Sequence, residues 1–95
     1  MQSSHKSKVT SIVKDWQIHS EDTSSSDVQI GLLTDKIYQI EEKIKHIPKE
    51  DKARNILVRV KLITAVGERR KIINYLRNTD VIRYRRALVK LGMKY

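Results

Sequence analysis

V-G-E-R-R-K-I-I-N-Y-L-R, residues Val66–Arg77, decides how this chain is read. At 100° per residue Val66, Ile72, Ile73 and Leu76 share one side of a helix. Arg70, Lys71, Asn74, Arg77 and Asn78 share the other, with Tyr75 on the border. One side suits a core. The other sets cations beside an aromatic ring, the chemistry that grips a phosphate backbone.

Outward from this stretch the chain is helix-forming throughout. It has 95 residues, no Phe, one Pro and three Gly, too few turn formers for an all-β fold. The reading is an all-α single domain over residues 1–95: four helices, a short N-terminal one plus an antiparallel three-helix core. A chain this short has a thin core. Cysteine is absent and the three His are scattered, so neither a disulfide framework nor a metal site is expected, and no cofactor is implied. No apolar run approaches the roughly 18 residues of a membrane span. Residues 1–7, Ser- and Lys-containing, read as a flexible tail with no apolar signal core.

Charge is lopsided. Residues 1–48 carry 6 Lys+Arg against 7 Asp+Glu, a net of −1, and residues 49–95 carry 14 against 4, a net of +10. Such an excess on one half indicates a polyanionic partner.

Taken in order, Val9, Ile12, Val13 and Trp16 make a short amphipathic helix over 8–18, with Trp16 as packing anchor. Residues 19–26 are a polar loop. Ser26 and Gln29 have capping-box spacing, and Asp27 suits a first turn. Over 27–47 Ile30, Leu33, Ile37, Ile40, Ile44 and Ile47 follow steps of three and four, a helix seam; Asp35, Lys36, Glu41, Glu42, Lys43 and Lys45 read as its solvated face. Pro48 is placed in the first turn of the next helix, with Glu50 and Asp51 beside it. Ile56, Val60, Ile63 and Val66 are read as that helix's seam. Arg69 then projects into the apolar arc, and Gly67 interrupts the helix or admits another backbone. Thr79 or Asp80 caps the last helix, 80–91, with seam Val81, Tyr84, Leu88, Leu91 and Gly92 as C-cap. Arg83, Arg85 and Arg86 add to the basic surface.

No phosphate loop, nucleophile motif or carboxylate pair in an apolar setting is present, so no enzyme activity is expected. Nor is there a helix-turn-helix, zinc-finger or basic-zipper pattern, and RNA read by shape and backbone fits better than a DNA sequence reader. A general basic RNA- or DNA-binding helical protein and a membrane-surface binder are the rivals.

Three motifs carry a resemblance. D-T-S-S-S-D-V-Q-I-G-L-L-T at Asp22–Thr34 resembles D-T-G-S-x-E-V-Q-x-A-L-L-T; V-G-E-R-R-K-I-I-N-Y-L resembles V-G-x-R-R-x-L-L-D-Y-L; and D-V-I-R-Y-R-R-A-L-V-K-L-G at Asp80–Gly92 resembles D-V-x-R-Y-x-x-L-I-x-x-L-G. These are signatures of the bacterial-type small-subunit ribosomal protein fifteen family, and the match runs from about Val9 to Gly92. The resemblance implies a four-helix, non-enzymatic constituent of the small ribosomal subunit. It implies binding to a three-way junction in the central domain of the small-subunit ribosomal RNA, early in assembly. Carried over by motif, Thr23, Gln29, Arg70, Lys71 and Tyr75 contact RNA, and Ser24, Lys36, Arg69 and Arg77 complete the candidate set. The family's second RNA site, a His, an Asp and a Ser between helices two and three, is not matched. That region is about five residues longer here, and His46, Lys49, Asp51, Lys52 and Arg54 are the residues available for a remodelled contact. Implied partners are the RNA, neighbouring small-subunit proteins and, through the helix 2–3 loop, large-subunit RNA. The implied form is a monomer within the ribosome of a bacterial cytoplasm or an organelle.

Overall fold

The structure, a computed structural model, describes residues 2–19 and 25–93, with side chains from residue 8 onward. It is all-α. Four helices follow in order: α1 (Gln2–Trp16), α2 (Ser26–Lys45), α3 (Lys52–Thr79) and α4 (Val81–Leu91). α1 starts at Gln2, seven residues before Val9 opens the apolar period that announces it, so residues 2–7 are helical. It stops at Trp16, short of residue 18.

Each later helix is bounded by side chains that satisfy its orphan backbone groups. The α2 cap is Ser25, whose Oγ accepts from the Val28 N–H at 3.3 Å. The Ser26–Gln29 box is therefore not formed: the cap lies one residue earlier, which turns Asp27 inward and leaves Gln29 exposed. α3 begins at Lys52, not at Pro48. Asp51 supplies the acceptor the start needs, taking the Arg54 N–H at 3.1 Å, so it is the cap and not a first-turn residue. Pro48 sits in the intervening turn, where its carbonyl accepts from the Asp51 N–H at 3.0 Å. Asp80 serves two helices: its N–H closes α3 on the Leu76 carbonyl at 2.7 Å, and its carboxylate accepts from the Arg83 N–H at 3.2 Å to open α4. Gly92 ends α4 at φ 70°, the left-handed conformation that favours glycine.

α2 and α3 form an antiparallel pair that carries two separate apolar clusters. One gathers Trp16, Val28, Ile30, Leu76 and Ala87, with Ile12, Val13, Ile72, Ile73 and Tyr84 packed around them, so all four helices meet there. The other holds only α2 and α3, through Ile37, Ile40 and Ala65 with Ile44, Val58, Leu62 and Val66. Between the two, Arg69 donates to Thr34 Oγ1 at 3.2 Å, and Thr34 in turn donates to the Ile30 carbonyl at 2.7 Å. Arg69 thus does lie in the apolar arc, half-buried and bonded.

The buried row of α3 is Val58–Leu62–Ala65–Arg69–Ile72–Leu76, not Ile56–Val60–Ile63, whose members are 65%, 53% and 71% exposed. Both rows have helical spacing. Only the first resumes in apolar residues, Ile72 and Leu76, beyond its single arginine, and Ala65, 1% exposed, permits the close approach of α2. α3 runs straight through Gly67, where no other part of the chain comes within 4 Å of an added Cβ, so the glycine neither breaks the helix nor admits a backbone.

Trp16 lies against Gly31, where an added Cβ would come closer than 3.0 Å to the indole. α1 is further held by Lys8–Asp35 at 2.9 Å and by Lys90, which lies 5.0 Å from the indole centroid and reaches the Asp15 carbonyl. Asp35 is therefore not part of a solvated face. Nor is Arg83 a free surface cation: it reaches Asp27, 1% exposed, through Nε at 2.7 Å and also through Nη2.

Removing one member of such a buried pair strands the other, a loss of about 3 kcal/mol. Asp27→Ala is expected to lower unfolding stability by that amount in urea melts. The Asp27→Leu, Arg83→Leu double variant, which leaves no buried charge, is expected to regain most of it. A double variant as unstable as the single one would contradict the stranded-charge account.

Candidate nucleic-acid interface

α3 carries its polar side chains on both flanks of the buried row, and the flanks face different neighbours. On the α2 flank a groove is lined by Gln29, Leu32, Leu33 and Lys36 of α2 with Glu68, Lys71 and Ile72 of α3. Its floor is aliphatic and its rims carry an amide, two ammonium groups and one carboxylate. Tyr75 lies one turn beyond Lys71, 59% exposed, so its ring is a surface feature and not core.

The groove continues toward the α2–α3 turn, where Lys36, Gln39, Ile40 and Lys43 of α2 face Val60, Lys61 and Thr64 of α3. Lys36 lines both stretches. The geometry has a simple origin. Gln29, Lys36 and Lys43 recur every seven residues and so stay on one side of α2. Arg54, Lys61, Glu68 and Tyr75 do the same on α3. Lys43 and Lys61 are additions to the candidate set; the seven-residue spacing from Lys36 signals Lys43, whereas Lys61 joins them only through the packing of α3 on α2. Lys36, Lys43, Lys61 and Lys71 take part in none of the ion pairs among the described residues.

The other flank of α3 faces α4. A crevice there is lined by Val66, Arg69, Arg70 and Ile73 with Tyr84, Leu88 and Met93. Arg70 is exposed at its rim, and Arg77, seven residues on, is exposed on the same flank. The structure therefore brings Gln29, Lys36, Lys71 and Tyr75 together and sets Arg70 and Arg77 around the helix from them. Arg69 lines the α4-side crevice, but its guanidinium is turned inward to Thr34. Thr23 and Ser24 lie outside the described residues.

The second candidate group surrounds the α2–α3 turn. His46 is the α2 C-cap, its backbone N–H shared between the Ile44 and Lys43 carbonyls. Asp51 is occupied by capping and by its 3.3 Å ion pair with Arg54. Lys49 and Lys52 are exposed cations. Nearby Lys45 is partnered: a hydrogen bond from its ammonium to Glu42 at 3.0 Å, reinforced by the Glu42 charge, raises its pKa above the ordinary lysine value. Arg54 and Tyr75 are 21 residues apart on one helix, about 30 Å at 1.5 Å per residue. The two groups are thus opposite ends of one elongated surface.

Among the described residues no group of three or more His, Cys, Asp or Glu is placed to hold a metal ion. No helix is long and apolar enough to cross a membrane.

The family model described as ribosomal protein S15 matches residues 8–94. The small ribosomal subunit protein uS15 of Chlamydia trachomatis is 39% identical over 83 residues, covering 87% of this chain and 88% of that protein. The protein of the same name from Chlamydia felis is 37% identical over the same length.

Proposed function

The chain belongs to the ribosomal protein S15 family, and from that premise we propose that it is a structural, non-catalytic constituent of the small ribosomal subunit. Its task is to hold a three-way junction of the central-domain ribosomal RNA in the geometry later assembly steps need. The observation that carries this reading is the α2–α3 groove. It sets Gln29, Lys36 and Lys71 on facing helices with Tyr75 exposed at one end, and its lysines take part in none of the ion pairs among the described residues.

The chemistry fits backbone recognition. Lysine ammonium groups neutralise phosphates as point charges and release counterions, which supplies affinity without sequence preference. The Gln29 amide offers donor and acceptor to sugar or base edges. The Tyr75 ring offers a face for an unstacked base at a junction, where bases are splayed. Lys71 stands where family members often have Arg, so its phosphate contact is a single point, not a bidentate fork.

Arg70 and Arg77 on the neighbouring flank let the junction wrap around α3. Thr23 and Ser24, which precede α2 in sequence, complete the grip at that end. Lys43 and Lys61 extend it along the groove. His46, Lys49 and Lys52 at the far end are the remodelled second contact. Asp51 and Arg54 instead hold the helix start that presents it. The elongated shape, with a principal extent of 46 Å, suits simultaneous contact with two RNA segments. Neighbouring small-subunit proteins and, through the turn, large-subunit RNA are the further partners in this reading, within a bacterial or organellar ribosome.

Chemical footprinting of the cognate small-subunit RNA tests it. Protection is expected at a central-domain junction and one further helical segment. Equal protection of unrelated RNAs would favour the general basic binder instead. Lys71→Glu is expected to weaken binding and reduce the slope of log affinity against log salt by about 0.7 to 1. An unchanged slope would remove Lys71 from the interface. Tyr75→Ala leaves the core untouched and is expected to cost about 1–3 kcal/mol of binding, the range for a base–aromatic stack; equal affinity for both proteins would assign the ring no contact.

A further inference from the structure

α3 has a third face outside the core, which meets the groove only at its edge, where Val60 lines both. Ile56, Val60, Ile63 and Gly67 follow steps of four, three and four along its outer side, opposite the buried row. The three aliphatic side chains are 65%, 53% and 71% exposed, and the space above Gly67 is open. Leu57, 59% exposed, widens the row on one side. An aliphatic row is poor chemistry for RNA. It offers no charge to a phosphate, no donor to a 2′-hydroxyl and no aromatic face to a base. The row nevertheless sits on the helix that carries Lys71 and Tyr75 two turns and more beyond it.

The spacing suits a helix. A four-three-four seam ending in a residue without a side chain lets a second helix pack lengthwise and approach closely at Gly67. The charge beside the row selects the partner. Lys52 and Arg59 flank it, and neither is in an ion pair among the described residues; Arg59 donates only to the neutral Asn55. A second copy of this chain would set those cations against their own kind. An acidic helix would pair them. A lipid surface also accepts cations beside an apolar row, but this row has no aromatic residue to seat it among headgroups.

We propose that Ile56, Val60, Ile63 and Gly67 form a docking seam for an amphipathic helix of another protein, one that carries Asp or Glu beside its apolar row. This goes beyond RNA binding and does not rest on it.

The test uses the full chain and a labelled synthetic helix with Leu and Ile at its seam positions and Glu at the flanking ones, with binding followed by fluorescence anisotropy. Saturable binding is expected. A matched peptide with Lys in place of Glu is expected to bind about tenfold more weakly or worse, as like charges at the flanks repel. Ile63→Asp is expected to lose about tenfold or more for the Glu peptide, the size of an interface anchor, while circular dichroism stays unchanged because the side chain is exposed. Lys52→Gln with Arg59→Gln, which leaves the apolar row intact, is expected to abolish the preference for Glu over Lys. No binding of the Glu peptide, equal binding of both peptides, or Ile63→Asp binding as tightly as wild type would overturn the proposal. So would concentration-dependent dimers that Ile63→Asp disperses, which would assign the row to a second copy. Flotation with anionic phosphatidylserine vesicles that Ile63→Asp abolishes, without peptide binding, would assign it to lipid.

Discussion

The Asp27 carboxylate, 1% exposed and gripped by Arg83, is the constraint from which the rest of the arrangement follows. A buried carboxylate without a partner is costly, so α4 must lie where Arg83 can reach the first turn of α2. That position brings Ala87 of α4 into the cluster with Trp16, Val28, Ile30 and Leu76, with Tyr84 and Leu91 packed against it. It also sets the rotation of α2. With Asp27 turned inward, Gln29 two residues later turns outward to the groove it shares with Lys71. One ion pair thus links the packing of the smallest helix to the surface offered to RNA.

A second polar link divides the core. Arg69 and Thr34 sit between the four-helix cluster and the two-helix cluster, and their hydrogen bond lets an arginine occupy a seam position. Together with Asp27–Arg83 it means that two of the arginines in the basic half serve the fold. The cations left for a polyanion are those on the groove, on the outer flank at Arg70 and Arg77, and at the α2–α3 turn.

Much of this is legible in sequence, and the failures have a common cause. Local signals read correctly: the Ile30–Ile37–Ile40–Ile44 seam, Asp80 as cap, Gly92 as C-cap and Trp16 as anchor all depend on neighbours within a few residues. Where two local solutions compete, the sequence does not choose. Ser25 and Ser26 both can cap α2, and burial of Asp27 decides. Two aliphatic rows of α3 are equally periodic over Ile56–Val66, and only the requirement that the row resume in apolar residues at Ile72 and Leu76 selects Val58–Leu62–Ala65. The long-range pairs, Asp27–Arg83 across 56 residues and Lys8–Asp35 between α1 and α2, have no local signature. In the site, Lys71 and Tyr75 are legible from the helix they share. That Arg70 faces a different neighbour, and that Lys61 joins Lys36 and Lys43, requires knowing where α2 and α4 lie.

The account divides the lysines into those that meet RNA and those that do not, and their reactivity reads this directly. The chain is methylated with formaldehyde and borohydride, free and in complex with its small-subunit RNA, and each lysine is quantified by mass spectrometry. Lys36, Lys43, Lys61 and Lys71 are expected to be shielded in the complex, while exposed Lys14 on α1 and Lys45, partnered by Glu42, react alike in both states. Shielding of Lys14 and Lys45 with the groove lysines left reactive would contradict the account.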